Sequence, residues 1–168
     1  MSQLDSSPTF QTLREFAKRF PEIDVSVLET CVYLIFVGRL IGDAMDIHFA
    51  RHDLSKGRFQ ILANLKRKEG PLSPAELSEC CGVTRATVTG LVDTLEHAGL
   101  VERLQDSQDR RSVQVRLTPA GEKKVDDMLP DHYRRITGLM AGLTKDERDV
   151  LKKLLEKIEN GLPAIREP

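Results

Sequence analysis

Neither sign of charge prevails in this sequence. Its 25 Lys and Arg face 26 Asp and Glu, a formal net charge of −1 at pH 7, so no global positive field draws a polyanion. Any nucleic-acid site must rest on local placement of charge. Tryptophan is absent and aromatics are 5% of the chain. Three cysteines, two of them adjacent at Cys80 and Cys81, make no disulfide framework and suit the cytosol. The opening Met-Ser-Gln-Leu-Asp-Ser-Ser-Pro has neither the basic nor the apolar region of a secretory signal. The most apolar stretch, Val32 to Val37, is cut short by Gly38 and Arg39. It falls well below the ~18–20 residues that span a bilayer, so no membrane partner is expected. Also missing are a Gly-rich phosphate loop, His-Glu-x-x-His and Gly-x-Ser-x-Gly. The reading therefore expects no enzyme and no cofactor.

What remains is a hydrophobic fraction of 40% and a charged fraction of 30% over 168 residues. These suit one helix-rich domain with helical arms. The punctuation is legible. Ser73-Pro74-Ala75-Glu76 supplies an N-cap, a Pro at the first helical position and a capping-box Glu. Thr118-Pro119 repeats the cap-then-Pro start. Thr144-Lys145-Asp146-Glu147 precedes an apolar pattern at Val150, Leu151, Leu154, Leu155 and Ile158, ending near Asn160-Gly161. Upstream, residues 24–52 form one long helix whose apolar residues spread over several faces, so it must be covered on several sides. In so short a chain the natural second cover is a partner subunit. Ser55 to Lys68 makes a further helix with Phe59, Ile61, Leu62 and Leu65 apolar. After Gly99 the period changes to two. Leu100–Leu104 and Val113–Leu117 read as strands, joined by a polar, charged tip at 105–112.

Two helices, Pro74 to Cys81 and Thr84 to about Ala98, meet around Gly82. A tight Gly-containing connection locked by apolar residues is the sign of a helix-turn-helix. Leu77, Cys81, Val83, Val88, Leu91, Val92 and Leu95 stand where the locks belong. The outward face of the second helix carries Arg85, Ala86, Thr89, Gly90 and Asp93, with Thr84 and Thr87 at its N-terminal end. Short, polar or cationic residues of this kind suit a major groove ~12 Å wide. The hairpin adds Arg103, Arg110, Arg111 and Arg116 against Asp106 and Asp109, cations suited to the narrow minor groove. The partner expected from these residues is double-stranded DNA.

The stretch 72–103, from Leu-Ser-Pro-Ala-Glu-Leu-Ser through Gly-Val-Thr-Arg-Ala-Thr to Gly-Leu-Val-Glu-Arg, resembles the MarR family of bacterial transcription regulators. So does Asp109-Arg110-Arg111-Ser112 followed by Val113–Leu117 and Thr118-Pro119-Ala120-Gly121, which matches that family's wing signature. The resemblance covers roughly residues 24–161. It implies a mainly α fold with a small β-wing, a winged helix-turn-helix plus an N- and C-terminal helical dimerisation region. Residues 1–23 are then an N-terminal extension with a short helix, 55–121 the DNA-binding domain, and 24–54 with 122–168 the dimerisation region. It also implies a homodimeric repressor on a pseudo-palindromic operator, with Thr84, Arg85, Ala86, Thr87, Thr89 and Gly90 in the major groove. In the wing it favours Arg111 over Arg110 for the minor groove, braced by Asp109.

Family members of this kind respond to small ligands or oxidants, and three sensors come into question. Phe16-Ala-Lys-Arg-Phe-Pro-Glu-Ile-Asp24 and Met128-Leu-Pro-Asp-His132 resemble the urate-responsive branch. Phe16 replaces its Trp, Gln60 an Asp and Gly90 an Arg, so the polar partners of an anionic purine are missing. The cleft formed with Phe16, Phe59 and Gln60 suits another aromatic acid instead. Cys31 lies eight residues before Arg39, as in the hydroperoxide-sensing branch, but without that branch's Tyr partners. It reads as a buried small hydrophobe. His48 and His52, spaced i, i+4 with Asp46 and Asp53 nearby, could ligate a metal. On a solvent face they read as bystanders, and no metal site is expected.

Overall fold

The computed structural model describes residues 24–105 and 113–166, with Thr12, Glu15, Arg19 and Phe20 ahead of them. Helix α1 spans Val25–Ala50, opened by the Asp24 carboxylate, which accepts the Ser26 N–H at 2.9 Å. Ser55 caps α2, Lys56–Lys68, and Ser73 caps α3, Pro74–Cys81. The expected capping box is formed: Glu76 accepts the Ser73 N–H at 2.8 Å while Ser73 Oγ accepts the Glu76 N–H at 3.2 Å. That bond to the Ser73 backbone holds the Glu76 carboxyl below its ordinary pKa. Helix α4, Arg85–His97, leads into strands β1, Val101–Gln105, and β2, Val113–Leu117. Helices α5, Pro119–Leu139, α6, Lys145–Asn160, and the short α7, Pro163–Arg166, complete the chain.

The two strands pair antiparallel, Val101 opposite Leu117 and Gln105 opposite Val113. Leu72 adds a single bridge to Val115, with N–H to carbonyl distances of 2.9 and 2.8 Å. The wing is thereby tied to the start of α3 as well as to its own partner strand. A second tie is steric. A Cβ on Gly121 would stand 1.9 Å from the Leu100 carbonyl oxygen, so only glycine lets α5 pack so closely under β1. This gives a physical reason for glycine in the Leu-Thr-x-x-Gly stretch.

One core holds these elements together. Ile61, Leu62 and Leu65 of α2, Leu77 of α3, and Val88, Val92 and Leu95 of α4 meet Val101, Val115, Val125 and Met128. Each is at most 2% exposed. Cys81, Val83 and Leu91, also expected as locks, pack against this core while partly exposed. Burial raises the pKa of the Cys81 thiol.

The flanking helices are different. Only His48 and Phe49 of α1 are buried, and no residue of α6 is. Val27, Ile35, Ile47, Val150, Leu154 and Ile158 each lie 45% or more exposed. Two expectations need correcting. Cys31 is exposed in the protomer, because the first half of α1 projects beyond the core. The apolar run in α1 is also longer than Val32–Val37: an 18-residue window reaches a mean hydropathy of 1.7, long and apolar enough to cross a membrane by length and composition. Gly38 and Arg39 interrupt that run too briefly to lower its average.

Candidate nucleic-acid interface

The turn between α3 and α4 is built on Gly82, whose φ of 65° lies in the left-handed region that favours glycine. Its N–H reaches back to the carbonyls of Glu79 and Ser78, and the Val83 N–H reaches Ser78 at 3.2 Å. The Ser78 hydroxyl in turn donates to the Val83 carbonyl. Helix α4 then starts at Thr84, whose hydroxyl accepts the Thr87 N–H at 3.2 Å and lies 2.9 Å from the Thr87 hydroxyl. Val88, Val92 and Leu95 face the core. Thr84, Arg85, Ala86, Thr87, Thr89 and Gly90 are all exposed, over the helix's first turn and its outward side. A Cβ on Gly90 would meet nothing within 4 Å, so glycine there keeps the surface low without serving any internal contact.

Charge on this surface is sorted by partner. Arg103 of β1 donates to both Asp93 and Glu96 of α4, and its own N–H donates to Glu96 at 3.1 Å. The hydrogen bond to Asp93, with the charge of Glu96, raises the pKa of Arg103 further. Arg116 of β2 pairs with Glu102 of β1 at 2.7 Å. The two arginines at the wing's base are thus engaged by carboxylates, and the Arg103 pair joins wing to helix. Among the described residues no carboxylate pairs with Arg85. Asp109, Arg110 and Arg111, the expected wing contacts, lie outside the described residues.

The expected effector residues fall elsewhere. Phe59 is buried and Gln60 half-buried, and both line a cleft of about 320 Å³ between α1, α2 and α5. Lys56, Phe49 and His132 share that lining. Its aromatic wall is close-packed, with ring centroids 4.7 Å apart for Phe49–Phe59 and 4.8 Å for Phe59–His132. Phe16 lies outside the described residues. Beside this cleft His48 is buried rather than on a solvent face, 4% exposed, and its ring stacks on His132 at 5.3 Å. Its acidic neighbour is Asp131 of α5, not Asp46 or Asp53 of the adjoining sequence.

A capped helix, a glycine turn, a second helix with a bare outer face and a two-stranded ribbon make a winged helix-turn-helix, the scaffold of a DNA-binding regulator. Comparison with known proteins agrees. Residues 52–112 match the MarR family. The HTH-type transcriptional repressor YetL of Bacillus subtilis is 31% identical over 166 residues, covering 98% of this chain and 99% of that one. The HTH-type transcriptional repressor NicR of Pseudomonas putida is 40% identical over 130 residues, covering 73% and 81%. Among solved structures, Bordetella bronchiseptica BpsR, whose DNA binding is regulated by 6-hydroxynicotinic acid, is 30% identical. It superposes with a TM-score of 0.58 over 73% of this chain and 98% of that one. The chain belongs to the MarR family of HTH-type transcription regulators.

Proposed function

We propose that the chain is a cytoplasmic repressor that binds a pseudo-palindromic operator as a homodimer and releases it on binding a small aromatic acid. The observation that carries the DNA contact is the sorting of α4. Val88, Val92 and Leu95 are buried and Leu91 packs partly exposed against the core, while Thr84, Arg85, Ala86, Thr87, Thr89 and Gly90 are left exposed over the first turn and the outward side. These side chains enter the major groove, and Arg85 is the residue with the reach and charge to contact guanine. Arg110 and Arg111 follow the minor groove, with Asp109 bracing Arg111. Residues 55–121 are the DNA-binding unit. Residues 24–54 and 122–168 form the dimer region, in which the bare faces of α1 and α6 cover each other across two copies. The test of the wing is Arg111→Ala. It is expected to cost about 1–3 kcal/mol per site in a gel-shift titration, with the fold unchanged by circular dichroism. Unchanged affinity would remove the wing from the DNA.

The effector reading rests on the cleft at Phe59 and Gln60. Lys56 offers a cation for a carboxylate, and Phe49, Phe59 and His132 offer faces for a ring. Phe16 is proposed to cover it. Regulation of a 30% identical relative by 6-hydroxynicotinic acid supports an aromatic carboxylate here. Occupancy would favour one spacing of the two recognition helices over the other, so that both half-sites are no longer met together. Cys31 is not assigned to the switch.

A further inference from the structure

We propose that His48, His52 and Asp131 form a binding site for a divalent transition-metal ion, Zn²⁺ in the first instance, joining the end of α1 to the middle of α5. One donor atom from each residue lies within 4.8 Å of the others. His48 Nδ1 is 3.7 Å and His52 Nε2 4.0 Å from the same carboxylate oxygen, Asp131 Oδ2. Tetrahedral Zn²⁺ with bonds of ~2.0–2.1 Å sets its donors roughly 3.3 Å apart, so the group needs only to contract. His52 has the freedom to do so. It lies just past α1, in the turn that ends at Asp53 with a φ of 55°, and its side chain is 27% exposed.

The independent sign of a ligand is His48 itself. Its residue is 4% exposed, and both ring nitrogens are buried without a hydrogen-bond partner among the described residues. Neutral imidazole carries one donor and one acceptor, and burying both unpaired is unfavourable unless something else satisfies a nitrogen. A metal ion would satisfy one through its lone pair.

Asp131 is already positioned for this role. Arg135 Nε donates to Oδ2 at 2.7 Å and Arg134 donates to Oδ1. These two bonds hold the carboxylate in place, facing His48 and His52. A carboxylate oxygen has a second lone pair, so Oδ2 can keep Arg135 while binding the ion, in the manner of an outer residue that orients a ligand. The side chains of His52 and Asp131, 27% and 24% exposed, leave the group open to solvent on that side, from which an ion and a water as fourth ligand can enter. Two histidine nitrogens and one carboxylate oxygen suit zinc better than calcium or magnesium.

The test uses the full chain, stripped with a chelator and titrated with Zn²⁺ against a chromophoric competitor. One ion per chain is expected. His52→Ala and Asp131→Asn should each weaken binding by at least about tenfold, the smallest loss typical even of supporting residues around a metal. His97→Ala, an exposed histidine on α4, should leave it unchanged. His48→Ala is informative only if circular dichroism shows it folded, which is why the half-exposed His52 carries the experiment. Absence of uptake by the wild-type chain would overturn the proposal. Equal affinity in His52→Ala, or Co²⁺ uptake with a thiolate charge-transfer band, would do the same by placing the ion elsewhere. None of these readouts involves DNA, so the site stands or falls apart from the operator reading.

Discussion

The winged unit and the helices that flank it are built on opposite terms. From α2 to the first half of α5 every apolar stripe has a partner within the chain, and Ile61, Leu62, Leu77, Val88 and Val115 are wholly buried. Helix α6 has a comparable stripe at Val150, Leu151, Leu154, Leu155 and Ile158 and buries none of it. One region is a finished fold, and the other leaves its apolar faces bare. A regulator that must hold two DNA-reading units at a fixed spacing gains from this division, since the reading unit stays rigid while the spacing is set between subunits.

The comparison breaks most completely by charging the unfinished half. Ile158→Glu, in the apolar stripe of α6, is expected to yield monomers by light scattering while leaving the winged unit folded. Binding to a two-half-site operator should then fall by about 10²–10⁴, the avidity of two linked sites. A variant that stays dimeric would show that α6 lies outside the seam. Damage to the finished half has a different signature. Leu77→Ala removes a fully buried side chain at the α3 centre and should cost about 2–5 kcal/mol of stability in urea unfolding. The loss should appear without any change in the subunit contact itself. A cost near zero would mean that the core is looser than its burial indicates.

The smallest effect sharpens the boundary between the two regions, where His48 of α1 stacks on His132 of α5. Burial holds both below the ordinary histidine pKa of 6.5, and Asp131 opposes this in each case. Between those lowered values and 6.5 the unfolded chain binds more protons than the folded one. Stability is therefore full above about 6.5 and is lost as pH falls through the lowered folded values. A urea midpoint that drops on going from about pH 8 to pH 5 is the expected result. A midpoint that rises would mean the histidines are stabilised in their charged form.

Local chemistry in this sequence is read reliably because it acts over three or four residues. Ser73 with Glu76, Thr144 with Glu147 and the left-handed Gly82 form the caps and turn that their spacing requires. The outward face of α4 follows from the same periodicity. What the sequence conceals are partners brought together by the fold. Arg103 looks like a wing cation for DNA until β1 is laid beside α4, where Asp93 and Glu96 take it. The nearness of a glutamate and an aspartate on that helix was a signal, but only strand placement gives it meaning. In sequence the acids beside His48 and His52 are Asp46 and Asp53, whereas the acid that faces them in the fold, Asp131, arrives from α5. Cys31 shows the converse. An apolar neighbourhood in sequence suggests burial, but burial of α1 depends on a cover that one chain does not supply.

The central claim, that the bare face of α4 and the wing bind duplex DNA through charge placed locally on a chain of near-zero net charge, is tested most directly by salt. Operator affinity should be measured by titration from about 50 to 200 mM salt. If six to ten phosphates are contacted by the dimer, affinity should fall by about 10³–10⁵ over that range, as condensed counterions are released. An affinity that does not change with salt, or no binding to any duplex at low salt, would contradict the account.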